Sequence, residues 1–302
     1  MATELEGSTP AGITPVGELG IVGAGLMGSG IAQVAAIAGI SVKIFDTQDG
    51  AAERGIEGIS RQLDKRVARE RMARQEADDA IARITPVTEL GHAAAGDAVI
   101  EAVIELIDVK QRVFAELAEA ARPDAVLATN TSALPITEIA ATSSGAKRII
   151  GMHFFSPVPA MGLCEVVRGY RTSDSTVARA LGLAQQLGKE TILVNRDDAG
   201  FVTSRLMTVL VQEATRLVEA GLSTPEEIDR ACQLAFGHKM GPFATMDLTG
   251  VDVTLRAGNS IFEQSNDPRF APPQLLKRMV AAGDLGRKTG KGFYGYRNEA
   301  TS

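Results

Sequence analysis

The chain has 302 residues, 45% of them hydrophobic and 23% charged, with a formal net charge of −6. That length suits two domains, and the apolar fraction excludes intrinsic disorder and collagen-like repeats. Two cysteines, Cys164 and Cys232, make neither a disulfide framework nor a four-thiolate metal site, and the mild negative charge carries no general footprint for nucleic acid.

Residues 1–15 are polar and bear acids rather than a basic leader, which predicts a flexible tail and not a signal peptide. No stretch approaches the roughly 20 apolar residues of a spanning helix, so the expectation is a soluble, cytoplasmic protein without membrane partners. From Glu18 the chain alternates β-branched runs with helical stretches. Strands are predicted over Glu18–Val22, Ser41–Phe45, Ala98–Val103, Ala125–Thr129, Ile149–Phe155, Cys164–Val167 and Thr191–Val194. Helices are predicted over Leu26–Ala38, Val109–Ala121 and Ser175–Leu187, with two more in Glu53–Arg83 that break near Arg71–Gln75. This alternation is the signature of βαβ units, hence an α/β fold with a doubly wound, mostly parallel sheet.

After Asn195 the pattern changes. A long helix is expected over Phe201–Ala220, Ser223-Thr224-Pro225-Glu226-Glu227 reads as a capped helix start, and Gly241-Pro242 opens another. The domains are therefore expected at 16–196 and 197–302, the second all-helical.

Gly23-Ala24-Gly25-Leu26-Met27-Gly28 follows a strand and opens a helix. In that setting the first glycine permits a tight turn, the second lets backbone approach a pyrophosphate, and the third allows close helix–sheet packing. Asp46 ends the next strand, where a carboxylate accepts from ribose hydroxyls and repels a 2′-phosphate, so the pattern points to NAD rather than NADP. A structural glycine turn is the plain alternative.

Among the three histidines, His92 falls in a polar loop and His238 at a turn between helices, whereas His153 closes an apolar strand before Ser156-Pro157-Val158-Pro159. A strand histidine by itself is more often a core residue. Glu165 changes the balance, because a carboxylate in the apolar run LCEVV needs a partner if buried. Paired with His153, it would fix the imidazole tautomer for general base chemistry on an alcohol. Asn130-Thr131-Ser132 is a glycosylation sequon in form, a plain turn, or a source of hydroxyls for substrate. The basic run around Lys65, Arg66, Arg69 and Arg71 is either a solvated face or a contact for an anionic substrate. GRKTGKG at 286–292 lacks the spacing of a P-loop, and no His/Cys/Asp cluster has metal-ligand spacing, so no metal is expected.

Taken together, IVGAGLMGSGIAQVAA (21–36), EAVIELIDVK (101–110), ATNTSALPIT (128–137), GMHFFSPVPAMGLCEVV (151–167), GFVTSRL (200–206), EEIDRACQLAFGHKMGPF (226–243) and GRKTGKGFYGY (286–296) resemble the 3-hydroxyacyl-CoA dehydrogenase family, in particular its short bacterial 3-hydroxybutyryl-CoA type. The resemblance implies a Rossmann-like domain followed by a helical one, and NAD-dependent, reversible oxidation of an L-3-hydroxyacyl-CoA. It places the catalytic pair on His153 and Glu165, and the active-site serine on Ser132. NAD contacts would fall on Gly23, Ala24, Gly25, Leu26, Met27, Gly28, Asp46, Glu105, Lys110, Ser132, Ser156 and Lys288. CoA contacts would fall at Arg69 and Gln62, and the helical domain would form a homodimer. Ser156 stands where the family usually has asparagine, Ser204 at the position of its active-site asparagine and so among the catalytic residues the resemblance implies, Leu106 where a polar residue is frequent, and Gln62 where a serine is common; these departures imply altered substrate positioning. Relatives that oxidise free sugar acids such as gulonate, or that bind NAD without turnover, are the alternatives.

Overall fold

The computed structural model describes residues 14–296, so residues 1–13 of the expected tail lie outside it. The chain divides into two compact units between Asp197 and Asp198. The first unit runs β1 (Glu18–Val22), α1 (Leu26–Ile37), β2 (Ser41–Phe45), α2 (Ala51–Ala68), α3 (Arg74–Ala82), β3 (Ile84–Val87), α4 (Leu90–Ala94), β4 (Ala98–Glu101), α5 (Ile107–Ala120), β5 (Val126–Thr129), α6 (Ile136–Ile139), β6 (Ile149–Phe154), β7 (Leu163–Val167), α7 (Asp174–Gln186) and β8 (Glu190–Val194).

These strands form one sheet in the order β3-β2-β1-β4-β5-β6-β7-β8. Every pairing is parallel except β6 with β7. Strands β4, β5 and β6 are buried at every position, as expected of strands covered on both faces. The antiparallel exception follows from chain length: a parallel connection needs a crossover of a dozen or more residues, and β6 reaches β7 through the short segment 155–162. Strand β3 and helix α4 were not predicted. β3 is short and contains Pro86, which has no N–H to give; only its edge position beside β2 accommodates it.

Helix α2 shows why the charged stretch after β2 still docks. Ile59 and Leu63 lie one turn apart and both are buried, and at about 1.5–3 kcal/mol per buried aliphatic side chain they suffice to hold an otherwise polar helix. The break before α3 has Glu70 at φ 54°.

The second unit contains α8 (Thr203–Glu219), α9 (Pro225–Phe236), α10 (Pro242–Thr249), α11 (Val251–Ser265) and α12 (Gln274–Ala282). Thr224 caps α9, with Pro225 at the first turn and Gly237 ending the helix at φ +70°. The core joins Val211, Ala214, Phe243, Met246, Val251, Leu276 and Met279. Two buried aspartates organise its polar interior. Asp229 accepts from Phe243 N, Ala244 N and the Tyr294 hydroxyl, and Asp247 from Phe293 N, Tyr294 N and the Tyr296 hydroxyl. The GKGFYGY segment is thus folded onto α9 and α10. Among the described residues no helix is long and apolar enough to cross a membrane.

Candidate active site

Strand β1 lies between β2 and β4, and the order of strands reverses there, which opens a crevice at their carboxyl ends. Gly23 turns the chain at φ +101°, a conformation that L side chains rarely adopt. A Cβ on Gly28 would stand 1.8 Å from the Gly23 carbonyl oxygen, so only glycine lets α1 start so close to the turn. A Cβ on Gly25 would meet nothing within 4 Å: that side of the loop is open. Helix α1 begins with no side-chain cap and no acid in its first turn, so its N–H groups and positive dipole end await an anion. Asp46 bends over this loop, accepting from Ala24 N at 2.8 Å and Gln48 N at 2.9 Å. A carboxylate has about four acceptor positions, so Asp46 keeps capacity for a ribose diol. An open glycine cradle, an uncapped helix and a carboxylate on the adjoining strand fit a dinucleotide.

At the ends of β4 and β5 lies a second polar cluster. Glu101 and Lys110 are completely buried; Lys110 Nζ lies 2.7 and 2.9 Å from the two Glu101 oxygens. Glu101 also accepts from Val103 N at 2.7 Å and from the Thr129 hydroxyl at 2.6 Å. Burial raises the affinity of the Glu101 carboxyl for a proton, opposed by Lys110, Thr129 and Val103 N. Lys110 approaches Glu105 at 3.4 Å, and Glu105 accepts from the Thr131 hydroxyl at 2.5 Å and Ser132 N at 3.1 Å. Lys110, expected at the cofactor, is completely buried and faces both Glu101 and Glu105.

His153 on β6 is paired in register with Glu165 on β7. Its Nδ1 lies 2.6 Å from Glu165 Oε2, and Glu165 is fully buried. An unpaired carboxylate there would cost several kcal/mol; the imidazole helps to make the position tenable. The two polar clusters meet at Asn130, whose Oδ1 accepts from Phe154 N at 3.0 Å, one residue past His153. The loop between β6 and β7 is held from beneath. Lys189 Nζ donates to the carbonyls of Val158 (2.6 Å) and Met161 (2.8 Å), and Glu190 N donates to Gly162 O. A Cβ on Gly30 of α1 would already press on the Val158 side chain at 3.0 Å.

The remaining expected residues are dispersed. Ser156 is exposed at the start of that loop, before a cis peptide to Pro157. Gln62 and Arg69 are exposed on α2 and its carboxyl end. Arg74 is engaged by Asp64 and Asp78, whereas Lys65, Arg66, Arg69 and Arg71 make no ion pair among the described residues. Ser204 is half-buried in the first turn of α8. Lys288, expected at the cofactor, is exposed and pairs with Asp252 of its own unit. Sequence reasoning missed Glu101 and Lys189, and weighed Asn130 only as part of the polar turn with Thr131 and Ser132. For Glu101 a signal existed, a carboxylate within the apolar run AVIEAV, the same signal that singled out Glu165.

Residues 18–198 match the family model for the 3-hydroxyacyl-CoA dehydrogenase NAD binding domain, and residues 200–296 match that of the same family's C-terminal domain. A 3-hydroxybutyryl-CoA dehydrogenase of Mycobacterium tuberculosis is 40% identical over 280 residues, covering 92% of this chain and 98% of that one. A probable 3-hydroxybutyryl-CoA dehydrogenase of Bacillus subtilis is 40% identical over 281 residues, covering 93% and 98%. The crystal structure of (S)-3-hydroxybutyryl-CoA dehydrogenase PaaH1 from Ralstonia eutropha superposes with a TM-score of 0.90 at 40% identity, covering 94% of this chain and all of that one. The chain belongs to the 3-hydroxyacyl-CoA dehydrogenase family.

Proposed function

We propose that the protein catalyses the reversible, NAD-dependent oxidation of an L-3-hydroxyacyl-CoA, 3-hydroxybutyryl-CoA or a close homologue, to the 3-ketoacyl-CoA. The observation that carries this reading is the buried His153–Glu165 pair at 2.6 Å, set on the same sheet as an open glycine cradle. When bound, NAD supplies the hydride acceptor. The alcohol proton goes to His153 Nε2, because Nδ1 is committed to Glu165, which fixes the tautomer and stabilises the imidazolium formed. In the reverse direction His153 returns that proton to the ketone oxygen. Ser132, held by Glu105 through its backbone N–H, presents a hydroxyl for the reacting oxygen.

The glycine loop and α1 hold the pyrophosphate. Asp46 takes the adenosine ribose and disfavours a 2′-phosphate. Ser156 and Glu105 complete the nicotinamide side. Arg69, with Gln62 nearby on α2, meets the phosphates of CoA. The serines at 156 and 204 reach less far than the family's usual asparagines, which shifts chain-length preference rather than the chemistry. The first unit serves as the nucleotide domain and the second as the substrate and dimerisation domain. Leu206, Leu222, Leu234 and Phe236 of the second unit are each at least two-thirds exposed, which supports a homodimer formed through that unit. The reaction is assigned to the cytoplasm. The test is NADH consumption with acetoacetyl-CoA and longer 3-ketoacyl-CoAs: turnover peaking at short chains is expected, and tight NADH binding without turnover on any of them would overturn the reading.

A further inference from the structure

Glu101 takes no part in the steps above, yet it is completely enclosed. Against the effect of burial, its neighbours favour the charged form. Oε1 faces Val103 N–H and the Lys110 ammonium, both of which only donate, and Oε2 accepts from Lys110 and from the Thr129 hydroxyl. A proton on Oε1 would find no acceptor, so this surrounding suits a carboxylate. Lys110 in turn stands between two carboxylates, Glu101 and the partly exposed Glu105. Two acids and one ammonium leave a net single negative charge, and two of the three charges are shut off from water, where screening is weak.

The place of this charge matters. Ala102, the next residue after Glu101, walls the glycine loop: a Cβ on Gly23 would meet its carbonyl oxygen at 2.6 Å, and Ala102 N donates to Val22 O. At its far side the cluster holds Thr131 and Ser132 through Glu105. It therefore extends from the dinucleotide loop to the serine proposed to meet the reacting oxygen.

We propose that the Glu101–Lys110–Glu105 cluster biases the site toward the oxidised cofactor, and that Glu101 is the positioning residue that sets this bias by fixing Lys110 and the net charge. The proposal rests on the reading that this end of the crevice takes the nicotinamide. The oxidised ring carries a positive charge that the reduced ring lacks, so a net negative charge beside it lowers the energy of one form only. A cluster that merely ordered the Ser132 loop would act on both forms alike.

The test compares dissociation constants of NAD+ and NADH, measured by calorimetry on the full chain without substrate, in Glu101→Gln and in Glu101→Gln combined with Lys110→Met. The single variant brings the cluster to zero net charge; the double variant restores one negative charge on Glu105. The expected result is that the ratio Kd(NAD+)/Kd(NADH) rises about fivefold in the single variant, the effect of one partly screened unit charge, and returns to within about twofold of wild type in the double. If Glu101→Gln does not fold, Glu105→Gln removes the same charge at a partly exposed position, and the same rise is expected. Equal weakening of both nucleotides, or a double variant that keeps the ratio of the single, would overturn the proposal. Wild-type protein that bound neither nucleotide would instead overturn the reading beneath it.

Discussion

His153 and Glu165 sit at opposed positions of β6 and β7, the one antiparallel strand pair of the sheet among the described residues, with 2.6 Å between Nδ1 and Oε2. The register of β6 and β7, not the conformation of the connecting loop, makes them neighbours. A slip of one residue would send one of the two side chains to the other face of the sheet. The pair is thus as rigid as the sheet that carries it.

For this pair the expected outcome is a loss of turnover with retention of cofactor. His153→Ala lowers kcat by about 10²–10⁴-fold, the range for a lost general base. NADH affinity, read by fluorescence titration, stays close to wild type. Glu165→Gln removes the charge that stabilises the imidazolium and lowers kcat by a similar order. Wild-type kcat in His153→Ala would remove this histidine from the mechanism.

The glycine loop gives two substitutions with opposite signatures. Gly28→Ala drives a methyl into the Gly23 carbonyl and should lower Tm and abolish dinucleotide binding together. Gly25→Ala meets no protein atom, so Tm should hold while NADH binding weakens, because the methyl occupies the space left for phosphate. Equal loss of Tm in both variants would contradict this assignment.

The arginines after β2 also divide. Arg69→Glu should raise KM for acetoacetyl-CoA severalfold, with an effect that shrinks in high salt as exposed charges are screened. Arg74→Glu should leave KM alone and lower Tm, since the new carboxylate faces Asp64 and Asp78. Steady-state kinetics and thermal unfolding separate the two. An unchanged KM in Arg69→Glu would remove this helix end from the CoA site.

Asp97 offers a prediction on pH. Partial burial alone would raise its pKa, but N–H groups of Gly17 and Glu18 at 2.8 and 3.1 Å, with Arg122 at 2.8 Å, outweigh it and hold the carboxyl below its ordinary value. A pKa lowered by folding contributes stability above the unfolded pKa of about 3.9, and that contribution fades as pH falls through the folded value. Asp97→Asn should therefore cost about 1–2 kcal/mol at pH 7 and progressively less below about pH 4. Denaturant unfolding at pH 7 and pH 3 checks the sign; a gap that widened at low pH would contradict it.

How much of this was legible beforehand depends on how local the cause is. Gly23, Gly25 and Gly28 announce themselves because a phosphate turn dictates residue type at each position. Glu165 was legible because a carboxylate in an apolar strand requires a partner. Glu101 obeys the same rule, but its partner comes from a helix and their meeting depends on how α5 packs on the sheet. Lys189 carried no local signal, since its acceptors are backbone carbonyls of a loop about 30 residues earlier. The edge strand β3 was hidden by Pro86 and is defined only by its pairing with β2.

Gly30 has a role larger than its size. It belongs to the helix whose first turn is proposed to meet the cofactor phosphates, and a Cβ there would stand 3.0 Å from Val158 in the loop that joins the histidine strand to the glutamate strand. One helix thus acts as a common bearing for the two halves of the chemistry. On the proposed reading, nucleotide held at its end and proton transfer at His153 share a single mechanical reference, so a methyl group added at position 30 would disturb the alignment of one against the other while leaving each half complete.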